Sequence, residues 1–347
     1  MASFSELSLT AQTAYAQLLE AALATEHMRS VADLSGSFAS KTVRGAKYWY
    51  FQYTEPSGKL RQVFVGPDTA PVHALMARKT QRPATAALGP LARSCAALGC
   101  SEILPRHLRV LQRLAEYGFF RAGGVLIGTH AFLAFANMLG VRWGEGSRTQ
   151  DIDFAHAGKN LSILLPGDVH VQTHAAISSL EMGFLPAVGL TAKASETYLN
   201  PRDPELKLDF LTTLHRGGEQ PYEHPQLGVT LQPLKFMEFS LERVQQAVLF
   251  AGDRCAVANV PQPARYALHK LLVYGEREVA FAAKASKDLV QAQLLLAYLK
   301  EHRASEVKEA WEDLVSRGPG WVRRARHGRA ALDKLDPALQ IKNWLRL

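Results

Sequence analysis

Apolar positions in the first stretch of the chain recur at helical spacing, with Leu7, Ala11, Tyr15, Leu18, Leu19 and Ala22 predicting a helix over residues 5–28 that packs on something downstream. The period then changes. Residues 41–65 are rich in aromatic and β-branched side chains, which predicts a hairpin turning at Glu55-Pro56-Ser57-Gly58 and ending at Gly66-Pro67. Alternation along its first strand sends Tyr48, Tyr50 and Gln52 to one face and Trp49, Phe51 and Tyr53 to the other. Residues 79–101, rich in Ala, Pro and Gly, read as a connector. A helix over 102–117 follows, with Leu104, Leu108, Leu111 and Leu114 on one face. It leads into a short buried strand (122–127), a tight turn at Gly128-Thr129, an apolar helix (130–139), a polar loop and a second strand carrying Asp151 and Asp153. Beyond that, the pattern predicts a helix near 169–182, strands around 184–188, 195–199 and 206–211, and a polar loop over 217–233. The remainder reads as mainly helical: a short strand, a Pro261-Gln262-Pro263 corner, a helix carrying Lys270 and then Arg277, and a helix from about 285 through Leu289, Leu295, Leu296 and Leu299.

The chemistry lies in the middle of this order. In Asp151-Ile152-Asp153 a period of two puts both carboxylates on one face and turns Ile152 and Phe154 into a core. Neighbouring carboxylates repel, and a hard cation such as Mg2+ relieves the repulsion. The Gly128-Thr129 turn opens a helix, whose free N–H groups suit an anion such as a triphosphate. One helix thus joins an anion cradle to a candidate metal holder.

A glycine followed by a small residue at a strand-to-helix turn, then an Asp-x-Asp strand, resembles the nucleotidyltransferase superfamily of DNA polymerase β. Arg148-Thr149-Gln150-Asp151-Ile152-Asp153 resembles more narrowly its bacterial abortive-infection-type and related branch, which includes toxins. Gly-Thr stands here where that superfamily usually has Gly-Ser or Gly-Gly. The resemblance implies an α+β fold: a nucleotidyltransferase core of a small mixed sheet flanked by helices, with an N-terminal helix plus β-hairpin module and a helical C-terminal domain. It also implies a third carboxylate on a later antiparallel strand, matched by Asp209 in Glu205-Leu206-Lys207-Leu208-Asp209-Phe210. The Pro-led helix with Lys270, followed by Lys287-Asp288 before a leucine-rich helix, resembles the C-terminal motif of the same branch. By that resemblance Asp151, Asp153 and Asp209 hold Mg2+ or Mn2+. Gly128, Thr129, Arg148, Lys270, Lys287 and Asp288 would then form the nucleotide site. The implied reaction moves a nucleoside monophosphate from a triphosphate such as ATP to a hydroxyl of RNA (a tRNA 3′ end, for instance), a protein or a small molecule.

Composition narrows the partners. A chain of 347 residues with 47% hydrophobic content holds two or three domains, expected at 1–80, 102–235 and 236–347. No apolar run is long enough for a bilayer and no signal core opens the chain, so the expectation is a cytoplasmic protein without a membrane partner. Cys95, Cys100 and Cys255 are too few and scattered for a disulfide framework and read as small apolar fillers. The net charge of +8 favours a polyanionic partner and tilts the acceptor towards RNA. Lys41, Arg44, Lys47, Lys59 and Arg61 flank the aromatic strand, which either packs on the N-terminal helix or docks a substrate. Arg317, Arg323, Arg324, Arg326 and Arg329 either hold phosphates or form a salt-bridged face. A different class of function also fits the charge: a non-catalytic nucleic-acid-binding protein on the same scaffold.

Overall fold

The computed structural model describes residues 4–27, 36–54, 60–80, 87–144, 149–157, 171–187, 195–214, 218–276 and 282–346. A short strand β1 (Phe4–Glu6) precedes helix α1 (Leu9–His27), where the Ser8 hydroxyl accepts from the Ala11 N–H at 3.2 Å and satisfies a free donor of the first turn. Ala11, Ala14, Tyr15, Leu18 and Ala22 form its buried stripe. Strands β2 (Ser37–Val43), β3 (Ala46–Thr54) and β4 (Leu60–Pro67) then make an antiparallel meander, so a third strand joins the expected hairpin. The predicted turn at 55–58 lies outside the described residues. Helix α2 (Ala70–Thr80) packs against this sheet. Where composition suggested a connector, residues 88–97 form helix α3 (Leu88–Ala97). Its Leu88, Ala92 and Cys95, spaced by four and three, are buried against α1. Cys95 and Cys100 both lie in that core.

Helix α4 (Pro105–Glu116) begins on a proline, which needs no N–H partner there. It buries Leu108, Val110, Leu111 and Leu114, whereas Leu104 caps the helix outside the core and is 44% exposed. Strand β5 (Gly124–Leu126) and helix α5 (Gly128–Met138) follow, and β6 (Val141–Trp143) turns back to pair with β1. Next come β7 (Asp151–His156), α6 (Thr173–Ser178), β8 (Leu185–Pro186), β9 (Thr197–Leu199), β10 (Lys207–Thr213), β11 (Tyr222–His224) and β12 (Val229–Leu234). The central sheet runs β11-β12-β10-β7-β5, with β9 also on β10 and β8 on β9. Two expectations change. Strand β10 pairs with β7 in parallel, not antiparallel. The predicted loop over 217–233 supplies two strands of the sheet, because Val229, Leu231 and Pro233 alternate into the core although turn residues dominate the composition. Phe154 stacks on Phe210 at 5.2 Å, and Phe119 meets both rings edge-on, closing the core beneath the sheet.

After the short helix α7 (Met237–Leu241), an eight-residue strand β13 (Val244–Ala251) pairs with β14 (Arg254–Pro261) in a hairpin, where the pattern had suggested one short strand. Gly252, at φ +59°, takes the first position of its two-residue turn, which a side chain there would strain. Helices α1 and α3 pack on this hairpin, and the Tyr15 hydroxyl donates to the Val248 carbonyl at 3.1 Å. The chain finishes with α8 (Pro263–Glu276), α9 (Ala282–His302), α10 (Ala304–Ser316), α11 (Pro319–Leu335) and α12 (Ile341–Trp344). Buried Arg265 joins them, its guanidinium reaching Glu242 at 2.9 Å and Asp313 at 2.6 Å. Much of the arginine cluster is engaged within the fold: Arg317 with Glu242 and Asp313, Arg324 with Glu276, and Arg329 with the Leu345 carbonyl. The fold is α+β, a mixed sheet flanked by helices. Among the described residues no helix is long and apolar enough to cross a membrane.

Candidate functional site

The register of the central sheet assembles the acids. Asp153 on β7 lies opposite Asp209 on β10, and Asp151 lies opposite Lys207. In a parallel pair, directly opposed residues point to the same face. Burial alternates along both strands in step, with Ile152, Phe154, Leu208 and Phe210 inside and the three acids half-buried on the other face. Asp209 is held on both oxygens: the Thr197 hydroxyl donates to Oδ1 at 2.7 Å and the Lys207 ammonium meets Oδ2 at 2.7 Å. Burial first, and the charge of Asp209 second, push the Asp153 carboxyl up to about 6 against an ordinary 3.8. Lys270 and Lys284 oppose that shift without cancelling it.

The turn after β5 brings α5 to this face. The Ile127 N–H donates to the Asp153 carbonyl at 2.9 Å, tying the end of β5 to β7. Gly128 then adopts φ +61°, and a Cβ on it would stand 2.0 Å from Asp153 Oδ2. Both the left-handed backbone and the close carboxylate therefore require glycine at this position. Thr129 follows inside helix α5, buried, with its hydroxyl accepting from Gln291 Nε2 at 3.3 Å. The Tyr266 hydroxyl reaches both the Gly128 carbonyl and Gln291 Oε1, each at 2.8 Å. Helices α8 and α9 thus brace the turn from behind.

Those two helices also carry the predicted cations. Lys270 pairs with Asp288 at 2.6 Å, both side chains being largely buried. Burial is the largest single effect on Lys270 and disfavours its charge, but Asp288, Tyr266 and Asp153 together hold its pKa above the ordinary value. Lys287 is half-buried, and burial and then the charge of Lys270 lower its pKa. Arg148 and Arg277 lie outside the described residues.

Several contributors were not singled out in the sequence: Lys207, Thr197, Tyr266, Gln291, Lys284 and Arg106. Arg106 on α4 binds Gln150 just ahead of β7 and pairs with Asp203 at 3.1 Å. A usable signal existed for three of them. Lys207 precedes Asp209 by one strand period, and Lys284, Lys287, Asp288 and Gln291 fall at the spacing of one helix face. Behind the site, His107 Nδ1 and His130 Nε2 share a 2.9 Å hydrogen bond. Burial pushes their pKa values down to about 4 and about 3, so both rings are neutral at pH 7.

Among the described residues no group of three or more His, Cys, Asp or Glu side chains converges closely enough to hold a metal ion as it stands. The donor set nonetheless suits a hard divalent cation: carboxylates only, on one face, with Asp153 opposite Asp209 and a lysine ammonium seated on Asp209.

With this geometry in place, comparison with known proteins gives the class. A family model described as Nucleotidyltransferase matches residues 106–316, from the start of α4 to the end of α10 and more than half of the chain. The chain belongs to that nucleotidyltransferase family. An antigenic nucleotidyltransferase-like protein from Paracoccidioides brasiliensis is similar in its crystal structure over 65% of this chain and 95% of its own. The identity is 14% and the TM-score 0.31, so the overlap is loose and the assignment rests on the family match. Comparison with the curated proteins finds no match.

Proposed function

We propose that the chain transfers a nucleoside monophosphate from a nucleoside triphosphate to an acceptor hydroxyl, with RNA as the acceptor class that its charge favours, and that Asp151, Asp153 and Asp209 hold the Mg2+ or Mn2+ this requires. The observation that carries the proposal is the Asp153–Asp209 register pair set against the left-handed Gly128 at the mouth of α5. When bound, the divalent ion supplies Lewis-acid stabilisation of the phosphate oxygens and acidifies the attacking hydroxyl. The side chains have distinct roles. The first N–H groups of α5 at Gly128 and Thr129 face the β and γ phosphates. Lys270, kept charged by Asp288, sets a fixed positive charge behind them, and Lys287 adds a second. The acceptor oxygen bonds to the α-phosphorus, the bridging bond to the β-phosphate breaks, and pyrophosphate leaves. Asp209 takes the acceptor's proton. The abortive-infection-type branch remains part of this proposal, as does the identity of the nucleotide.

The test uses each triphosphate labelled at the α-phosphorus, with Mg2+ and total RNA or protein extract. Label should enter one acceptor class. It should disappear in Asp151→Ala and Asp153→Ala proteins that keep their circular dichroism; labelling that persists in both removes these acids from the mechanism.

A further inference from the structure

We infer that the outer face of the β2–β3–β4 sheet is a docking platform for single-stranded RNA. The inference takes from the proposed function only the choice of RNA over a protein as occupant. The sheet has two unlike faces. On the inner one, Phe51 is fully buried, with Phe38 at 5.3 Å and the Lys79 ammonium over its ring. There α2 closes over it: Val72 sits under Gly66, Trp49 Nε1 donates to Asp68 at 2.6 Å, and the Trp49 ring meets His73. The structural need for an apolar face is therefore met by α2 rather than by α1.

The outer face keeps aromatic surface as well. Tyr48 and Tyr50 flank Phe64 at centroid distances of 6.1 and 5.5 Å, and Phe64, in the middle of a strand, is 56% exposed. The Lys41 ammonium lies 4.8 Å over Tyr50 and also donates to Gln62 across the sheet. Lys47 belongs to the other face, where its ammonium lies over Trp49 and near Asp68. Lys41, opposite Tyr48, stands on this face and Arg44 in the β2–β3 turn, and the described residues of the three strands and that turn carry no carboxylate. An exposed aromatic cluster on a sheet costs solvation unless something covers it. Exposed π faces beside cations match unpaired bases on a polyanionic backbone: rings stack on bases of any sequence, and ammonium and guanidinium groups follow the phosphates. A duplex hides its base faces and offers this surface only its phosphates.

Fluorescence anisotropy with a labelled, unstructured RNA of roughly a dozen nucleotides tests the inference. The parent should bind it more tightly than the same sequence in duplex form. Tyr50→Ala combined with Phe64→Ala should weaken binding by about tenfold or more, whereas Phe64→Tyr, which keeps a π face, should bind like the parent. Lys41→Gln should weaken binding and lower the salt slope by about 1. Melting curves establish that each variant is folded. No binding by the parent, equal binding of duplex, or parental affinity in the folded double variant overturns the inference. The two proposals fail separately. Binding through this face without nucleotide labelling sinks the transfer reading alone, and labelling of RNA by a protein whose face variants bind like the parent sinks the docking surface alone.

Discussion

Replacing Asp153 by Asn should make the metal-free protein more stable while abolishing nucleotide transfer. In the fold, burial and Asp209 move the Asp153 carboxyl from 3.8 to about 6. The folded state therefore holds this proton more tightly than the unfolded chain does. The stability it contributes is complete below the unfolded value of 3.8 and is lost as pH rises through about 6. At about 1.4 kcal/mol per pKa unit, the ionised carboxylate costs the metal-free fold about 3 kcal/mol at neutral pH and about half of that at pH 5. Asn has the same shape and no charge, so the variant escapes this cost, less the effort of satisfying its amide. Urea unfolding in EDTA at about pH 5 and about pH 7.5 measures the difference. The Asp153→Asn protein should gain about 1–3 kcal/mol over the parent at the higher pH, and its advantage should shrink by about half at the lower. His107 and His130 titrate in both proteins and cancel from the comparison. A gap that stays constant with pH, or a variant less stable than the parent at pH 7.5, would show that the buried Asp153 charge carries no such cost.

Three further outcomes are expected. Gly128→Ala should cost about 1–2 kcal/mol from its backbone angle alone. Part of its total loss should vanish in an Asp153→Ala background, which removes the 2.0 Å contact; additive losses in a double-mutant cycle would contradict this. His130→Gln keeps a partner for His107 but removes a ring whose depressed pKa contributes stability above about 6.5 that is lost as pH falls towards about 3. The acid limb of its stability curve, followed by circular dichroism, should be shallower than the parent's. Lys207→Gln frees Asp209 Oδ2, so Mg2+ should raise the melting temperature of this variant more than that of the parent.

The local geometry of the candidate site was legible in the sequence. The alternation of Asp151-Ile152-Asp153 and the Gly128 turn follow from single-residue periodicity and conformational freedom, and both stand in the structure as read. Whether Asp209 joins them depends on which strands become neighbours, a long-range choice that no local pattern encodes. Its position was recognised, yet β10 runs parallel to β7 rather than antiparallel. Composition misled at α3, where the Ala-rich run is helix and the buried Leu88, Ala92 and Cys95 carry the true period. At β13–β14 the signal was present, since Gly252-Asp253 separates two apolar runs, but most of their positions are buried on both faces and the alternation is blurred. Tyr266 and Gln291 brace the Gly128 turn from helices more than a hundred residues away, and only packing reveals that role.

On the proposed function, acids from two parallel strands share a divalent ion beside the first turn of α5. Titration of Mn2+ into the protein with a non-hydrolysable triphosphate, followed by electron paramagnetic resonance of the free ion, addresses it directly. Saturable Mn2+ binding that Mg2+ displaces is expected, and it should be lost in Asp151→Asn and in Asp209→Asn. Binding of equal strength in both variants, or no binding by the parent, would contradict it.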